Sequence, residues 1–169
     1  MIRAIQREEA DALAALAATT FRQSHGSSTT NENINAYIEE HYTEQLFQHK
    51  LSKQGNHYYY LCLGNKPIGF LNFITDCKHD LLRCEHPCKL DRIYLLEDYL
   101  GQQAGLKLFQ FALQEAKRYK QEGFWLNVWE GNQRAINFYR KLGFVEIGKS
   151  LFRISVTHSN PNLVLFLEF

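Results

Sequence analysis

The hydrophobic residues change their spacing repeatedly along the chain, and this alternation restricts the fold more than any other feature of the sequence. Helical spacing occurs over residues 7–21, 30–51, 104–120 and 132–142. Strand-like runs occupy 2–5, 57–63, 68–75, 89–96, 123–128 and 163–169, and extended structure resumes at 143–144. The order is one strand, helices, three strands, a helix, a strand, a helix and two strands. This order predicts an α/β (α+β) fold, in which a mixed sheet carries helices on its faces.

Length and charge exclude several classes of protein. A chain of 169 residues is expected to form a single domain over residues 1–169. The net charge of +1 gives no overall field that would attract nucleic acid or an anionic membrane. No apolar run approaches the ~18–20 residues that span a bilayer, and acidic residues stand where a signal peptide needs a basic region. We therefore expect a cytoplasmic protein with no nucleic-acid or membrane partner, and a homodimer stays open.

Cysteines and histidines cluster in one short segment and raise the question of a metal site. Cys77, Cys84 and Cys88 fall within twelve residues together with His79 and His86. A structural zinc site usually combines two close pairs of ligands, and only Cys84 with Cys88 makes such a pair. With no secretory signal, we interpret the cysteines as thiols in a polar hairpin loop and predict no metal. A zinc-stabilised interaction domain is the alternative.

Two motifs in the second half of the chain carry chemistry. The first, Leu100-Gly101-Gln102-Gln103-Ala104-Gly105-Leu106, joins a strand to a helix, where small residues let backbone amides approach an anion. It lacks the Gly-Lys-Ser/Thr ending of a nucleoside-triphosphate loop. The second places Asn132 at a helix start and Tyr139 two turns further on the same face. Taken singly, these features are also explained by a plain turn, a helix cap and a core tyrosine.

Together, the two motifs resemble those of a known family. Asn132, Ala135, Tyr139 and Leu142-Gly143-Phe144 follow the glycine turn and match the Asn-x-x-Ala-x-x-x-Tyr-x-x-x-Gly-Phe pattern of the GNAT N-acetyltransferases. Further similarity lies at residues 20–21, 35–39, 43–46 and 90–94, and it looks most like the PaiA-type polyamine N-acetyltransferases. The resemblance covers most of the chain. It implies a mixed, mostly antiparallel sheet and direct acetyl transfer from acetyl-CoA to a primary amine, with spermidine or spermine as the favoured acceptor.

The resemblance also implies how acetyl-CoA is held. A strand would lie along the pantetheine arm, main-chain amides of the loop would hold the pyrophosphate, and Asn132 would bond the pantetheine. The implied contacts are Ile93, Tyr94, Leu95, Gly101, Gln102, Gln103, Ala104, Gly105, Leu106, Asn132, Ala135 and Tyr139. The loop departs from the family pattern Gln/Arg-x-x-Gly-x-Gly/Ala, since Leu100 replaces the Gln/Arg and Gln103 replaces the first Gly. Main-chain binding tolerates such changes, although a side chain at 103 narrows the approach and weaker affinity is an alternative.

Proton transfer needs two further groups. A primary amine with a pKa of about 10.4 is protonated at neutral pH, so a base or a desolvating pocket must remove its proton. Asp91 is the first candidate for the base, and Glu130 and Glu85 are the next. A structural ion pair between Asp91 and Arg92 is the alternative role of Asp91. Tyr139, protonated at pH 7, is the candidate acid for the departing thiolate. A backbone amide of the 93–95 strand would polarise the acetyl carbonyl, so no metal is required.

A polyamine site needs carboxylates for distal ammonium groups and aromatic walls for methylenes. The candidate acceptor residues are Glu39, Glu40, Tyr42 and Glu44, where the second helix gives way to the third, and Trp129 with Glu130 beside the second motif. A solvated acidic helix face is the alternative for the first group. Two other functions stay open, which are acetylation of a protein N-terminus or lysine, and acetyl-CoA binding without catalysis.

Overall fold

The computed structural model describes all residues, 1–169, and contains one seven-stranded sheet with helices on both faces. The strands are β1 Ile2–Ala4, β2 Asn56–Leu63, β3 Lys66–Ile74, β4 Pro87–Leu95, β5 Gly123–Trp129, β6 Val145–Arg153 and β7 Ser159–Glu168. The helices are α1 Ala10–His25, α2 Asn31–His41, α3 Glu44–Ser52, α4 Ala104–Arg118 and α5 Gln133–Lys141, and short 3-10 turns lie at Arg7–Glu9 and Glu97–Tyr99. The predicted order of elements and the α/β class are confirmed. Helix α1 runs to His25, beyond its predicted end at Phe21.

The sheet order is β1-β2-β3-β4-β5-β7-β6, and every neighbouring pair is antiparallel except β4 with β5. The parallel pairing of β4 with β5 covers only residues 87–89 against 123–125. Beyond these residues the two strands part, so the polar backbone groups on one edge of β4 have no partner strand. The mixed, mostly antiparallel sheet is thus confirmed, and it is open at its centre.

Side chains of alternate residues divide the core between the two faces of the sheet. Phe70 of β3 packs with α1, α2 and α3, whereas its neighbour Leu71 packs with α4 and α5, as the two-residue period of a strand requires. Strand β4 changes this alternation at Asp91, because Asn72 pairs with Arg92 and Phe73 pairs with Leu90. Asp91 is therefore the extra residue of a β-bulge, which turns Arg92 towards the α1 and α2 face.

Polar side chains define several helix starts. Thr30 accepts a hydrogen bond from the backbone N of Asn33 at 3.3 Å, and Thr43 accepts one from Leu46 at 3.3 Å. Such caps satisfy backbone donors that the helix itself leaves free. None of the helices combines the length and the apolar character needed to span a bilayer.

The segment between β3 and β4 is the cysteine-rich hairpin loop. Its ends are joined by the Cys77 backbone N, which donates to the Pro87 carbonyl at 2.8 Å, and the Trp125 indole donates to the Cys77 carbonyl at 2.6 Å. All four cysteines are free thiols. No three His, Cys, Asp or Glu side chains come together in a metal-binding arrangement.

Candidate active site

A cavity of about 1180 Å³ lies where β4 and β5 part. Its wall includes both strands, the start of α4, helix α5, the end of α1 and part of β6. The volume exceeds the roughly 300–1,000 Å³ of an ordinary small-molecule pocket. It provides room for an extended ligand and a second molecule side by side.

One end of the cavity is suited to an anion. The backbone amides of Ala104, Gly105 and Leu106 donate to no acceptor within the chain, because they form the uncapped first turn of α4. Unpaired amides and the helix dipole together favour a phosphate at such a position. Gln103 precedes them with a φ of 58°, in the left-handed region that glycine favours. Gln103 therefore adopts the left-handed backbone conformation that the glycine of the family pattern would favour at this position.

The structure does not bring all the predicted loop residues to the cavity. Gly101, Gln103, Gly105 and Leu106 line it, whereas Gln102 does not. The exposed side chain of Gln102 instead donates to the Asp98 carbonyl at 3.4 Å. The side chain of Ala104 points into the core, so this residue can offer only its backbone amide.

Two basic side chains of the cavity wall were not predicted from the sequence. Arg134 and Lys141 of α5 both line the cavity. They are seven residues apart, so they lie on one face of the helix, two turns from each other. Two basic residues seven positions apart within the second motif were the sequence signal that could have predicted them.

Asn132 serves as a helix cap and also faces the cavity. Its Oδ1 accepts a hydrogen bond from the Ala135 backbone N at 3.1 Å, which fixes the start of α5. Its Nδ2 has no partner within the chain, and both Asn132 and Ala135 line the cavity. The cap therefore leaves two N–H donors free for a ligand.

Tyr139 is a core residue whose hydroxyl group is available to the cavity. Its ring packs against Phe138 and Phe144 with centroids 5.3 Å away in each pair. The hydroxyl has no hydrogen-bond partner in the chain, although the residue lines the cavity. Burial, followed by the proximity of Tyr94, raises the pKa of Tyr139 well above its usual value. The hydroxyl group therefore keeps its proton at neutral pH and can donate it.

The free edge of β4 runs past Tyr139. Ile93, Tyr94 and Leu95 all line the cavity, and they pair with β3 on their other side. An extended ligand could therefore hydrogen-bond to this edge as an added strand would.

Asp91 is held by two cations. Its Oδ1 lies 2.6 Å from Lys89 Nζ, and its Oδ2 lies 3.5 Å from Arg92 Nε. Burial alone would raise the pKa of Asp91, but the charges of Lys89 and Arg92 outweigh it and lower the pKa below its usual range. A carboxylate with a lowered pKa is a weak base. The geometry therefore favours the ion-pair interpretation over the assignment of Asp91 as general base.

The predicted acceptor residues separate into two groups. Tyr42 and Trp129 line the cavity. Glu39 and Glu40 do not, because Ile34 and Tyr37 turn one face of α2 to the core and leave these carboxylates in solvent. Glu44 and Glu130 also lie outside the cavity. Glu44 accepts a hydrogen bond from Gln48 at 2.8 Å, and Glu130 pairs with Lys149 at 2.9 Å. These four carboxylates therefore do not line the cavity.

The aromatic end of the cavity, where Tyr42 and Trp129 lie, also contains His25 and Phe21, which were not predicted as site residues. His25 stacks on Phe21 with ring centroids 4.7 Å apart, and its Nδ1 lies 2.7 Å from Ser24 Oγ. Burial and the charge of Arg92 lower the pKa of His25 to about 4, so the ring is neutral at pH 7. His25 escaped notice because it lies beyond the predicted end of α1.

Comparison with known proteins agrees with this geometry. The model of the acetyltransferase (GNAT) family matches residues 15–144. An uncharacterized N-acetyltransferase from the pepI 3′ region of Lactobacillus delbrueckii subsp. lactis is 25% identical over 138 residues, 82% of this chain and 80% of that protein. An uncharacterized N-acetyltransferase of Mycobacterium tuberculosis (strain ATCC 25618 / H37Rv) is 28% identical over 157 residues, covering 93% of this chain and 96% of the relative.

A solved structure shares the fold over the whole chain. The PaiA N-acetyltransferase of Thermoplasma acidophilum, solved in complex with coenzyme A, has a TM-score of 0.77 at 17% identity, covering 100% of this chain and 98% of that one. This similarity concerns the fold, whereas the family match spans both motifs and most of the sequence. The chain therefore belongs to the acetyltransferase (GNAT) family and is an acyltransferase that uses acetyl-CoA.

Proposed function

We propose that the chain transfers the acetyl group of acetyl-CoA directly to the nitrogen of a primary amine, with Tyr139 as the general acid. The observation that carries the proposal is the Tyr139 hydroxyl, which is protonated, without a partner and open to the cavity. It lies close enough to Tyr94, on the free edge of β4, for that residue to affect its pKa. A proton donor placed there can reach the sulfur that leaves during transfer.

The chain's own groups fit the parts of acetyl-CoA, which supplies an acetyl group activated as a thioester. The free amides of Ala104, Gly105 and Leu106 would take the pyrophosphate, and Arg134 and Lys141 would offer cations from the α5 wall of the cavity. The Nδ2 group of Asn132 and the edge of β4 would bind the amides of the pantetheine arm. All these groups line the cavity or border it without an internal partner.

The acceptor must lose a proton before its nitrogen can attack the acetyl carbon. Asp91 is poorly suited to remove it, but the surroundings of the aromatic end disfavour an ammonium ion. Aromatic side chains desolvate it, and Arg92 and Lys89 repel it, so both effects lower the pKa of a bound amine. As the N–C bond forms and the C–S bond breaks, the amine proton passes to water and Tyr139 protonates the thiolate. Water then returns a proton to the Tyr139 phenolate.

A polyamine is the acceptor that the sequence resemblance favours, and two observations support it. The fold is similar to that of a PaiA N-acetyltransferase, and Tyr42 and Trp129 offer aromatic surface for methylene groups. The carboxylates predicted to bind distal ammonium groups, Glu39 and Glu40, lie outside the cavity. The polyamine therefore rests on the resemblance and the aromatic walls, whereas the cations Arg92 and Lys89 oppose a second ammonium group at the aromatic end.

A thiol-release assay tests the proposal. Purified protein with acetyl-CoA is given spermidine, spermine, butylamine or a peptide with a free N-terminus, and free CoA is measured. Release above the uncatalysed rate with at least one small amine supports N-acetyl transfer. Turnover of the peptide alone would favour the protein acetyltransferase. Binding of CoA with no release from any acceptor would show a non-catalytic module.

A further inference from the structure

Arg92 is a largely buried cation that lies between aromatic rings at the aromatic end of the cavity. Its side chain is 17% exposed, and its guanidinium lies 5.4 Å from the ring centroid of Tyr42 and 5.7 Å from that of Tyr94. The bulge at Asp91 turns it to this side of the sheet. A buried charge is costly unless its hydrogen bonds are satisfied.

The hydrogen bonds of Arg92 are only partly satisfied within the chain. Nη1 donates to the Tyr42 hydroxyl at 2.8 Å, and Nε faces Asp91 Oδ2 at 3.5 Å. Nη2 makes no hydrogen bond, and Arg92 lines the cavity. Two N–H donors of a cation are therefore available to a molecule bound there.

The charges around Arg92 do not cancel. Lys89 takes the nearer oxygen of Asp91 at 2.6 Å, so one carboxylate serves two cations. Lys50 lies close enough for the charge of Arg92 to contribute to the lowered pKa of Lys50, after the larger effect of burial. His25 is neutral at pH 7 and adds no charge. This end of the cavity consequently carries a net positive charge.

The position of Arg92 relative to the reacting groups limits where this charge can act. Arg92 and Tyr94 lie on the same face of β4, so they are about 6–7 Å apart along the strand. Tyr94 is near enough to Tyr139 to affect its pKa. An acceptor whose nitrogen is near Tyr94 could therefore extend its other end to Arg92.

We infer that the acceptor amine carries a carboxylate, which binds Arg92 through the unpaired Nη2 group. This inference rests on the proposed N-acetyl transfer and names its substrate class. The planar guanidinium matches a carboxylate in geometry and charge. A polyamine would place a second ammonium ion beside Arg92 and Lys89, where like charges repel.

A series of amines that differ only at the far end tests the inference. γ-Aminobutyrate, butylamine and putrescine share a primary amine on the same short chain and end in a carboxylate, a methyl group and an ammonium group. Phenylalanine and phenethylamine form a second matched pair with the carboxylate next to the amine. We expect kcat/KM to be about tenfold higher for the carboxylate in at least one set, as for a charge-assisted hydrogen bond. The advantage should decrease with added salt.

Variants test whether Arg92 causes the preference for a carboxylate. Intrinsic differences in amine reactivity are the same for every variant, so they cancel when the preference is compared between proteins. Arg92→Met should reduce the carboxylate preference to near one, and Arg92→Lys should retain part of it. Arg118→Met is the matched control, because it removes the same charge from an exposed arginine paired with Glu115, and it should leave the preference unchanged.

The possible failures are distinguishable. If neither set shows a higher kcat/KM for its carboxylate member in the wild-type protein, the inference is wrong while N-acetyl transfer stands. The wild-type comparison needs no variant to fold. If no amine of either set is acetylated, the inference fails, and the proposed function fails with it when spermidine and spermine also release no CoA.

Discussion

At the scale of single residues, Tyr139 packs in the core and is the proposed proton donor, and the two roles can be separated. Tyr139→Phe keeps the ring against Phe144 and removes a hydroxyl that has no partner within the chain. We expect the melting temperature and the Kd for CoA to be unchanged, and kcat to fall about 10²-fold or more through loss of a general acid. Steady-state thiol release and calorimetry measure both effects. An unchanged kcat would leave Tyr139 as a core residue only.

His25 should make the stability of the protein depend on pH. Its pKa is lowered from 6.5 to about 4 by burial, followed by the charge of Arg92. Between these values the unfolded state binds the proton and the folded state does not, so stability falls as the pH decreases from 7 towards 4. The loss attributable to His25 between pH 7 and pH 5 is roughly 2 kcal/mol.

Urea unfolding at pH 7 and pH 5 checks this expectation. His25→Phe retains an aromatic ring against Phe21 and has no titratable group, so its stability should decrease less over the same interval. All other ionisable groups are the same in both proteins, so their contribution cancels in the comparison. Equal losses in wild type and variant would show that His25 does not cause the pH dependence.

At the scale of elements, helix α5 provides a cationic face to the cavity. Arg134→Ala with Lys141→Ala should raise the Kd for CoA several-fold, because exposed cations contribute modestly to phosphate binding. The Kd for pantetheine, which has no phosphate, should not change. Arg140→Ala on the same helix is the control, since Arg140 lies outside the cavity and pairs loosely with Glu146 at 3.9 Å. Equal effects on CoA and pantetheine would indicate a disturbed helix.

The elements also show what the sequence could and could not predict. Hydrophobic spacing and caps predicted the order of strands and helices, and the second motif predicted Asn132 and Tyr139 at the cavity. The role of Arg92 depends on the bulge at Asp91, which no local pattern marks. The acidic residues of α2 were expected at the site. The apolar residues of a helix determine which of its faces turns to the core, and in α2 this places Glu39 in solvent.

At the scale of the whole molecule, the cavity exists because β4 and β5 part after residues 89 and 125. The sequence of neither strand predicts this separation, because it depends on how the two strands are placed relative to each other. The gap joins the α4 and α5 face to the α1 and α2 face, so a ligand that fills it contacts both halves of the core. Such a ligand binds only the folded state and should stabilise the entire domain.

CoA at about 100 times its Kd should therefore raise the free energy of unfolding by about 2.7 kcal/mol, or the melting temperature by roughly 5–10 °C. ATP and NAD at the same concentration should produce much smaller shifts, because the loop before α4 has neither the lysine of a nucleoside-triphosphate site nor the glycine pattern of a dinucleotide site. Thermal unfolding with each ligand measures this, and pantetheine gives the part of the shift that needs no phosphate. A shift with ATP as large as that with CoA would mean that the α4 amides bind phosphate without help from the gap between β4 and β5.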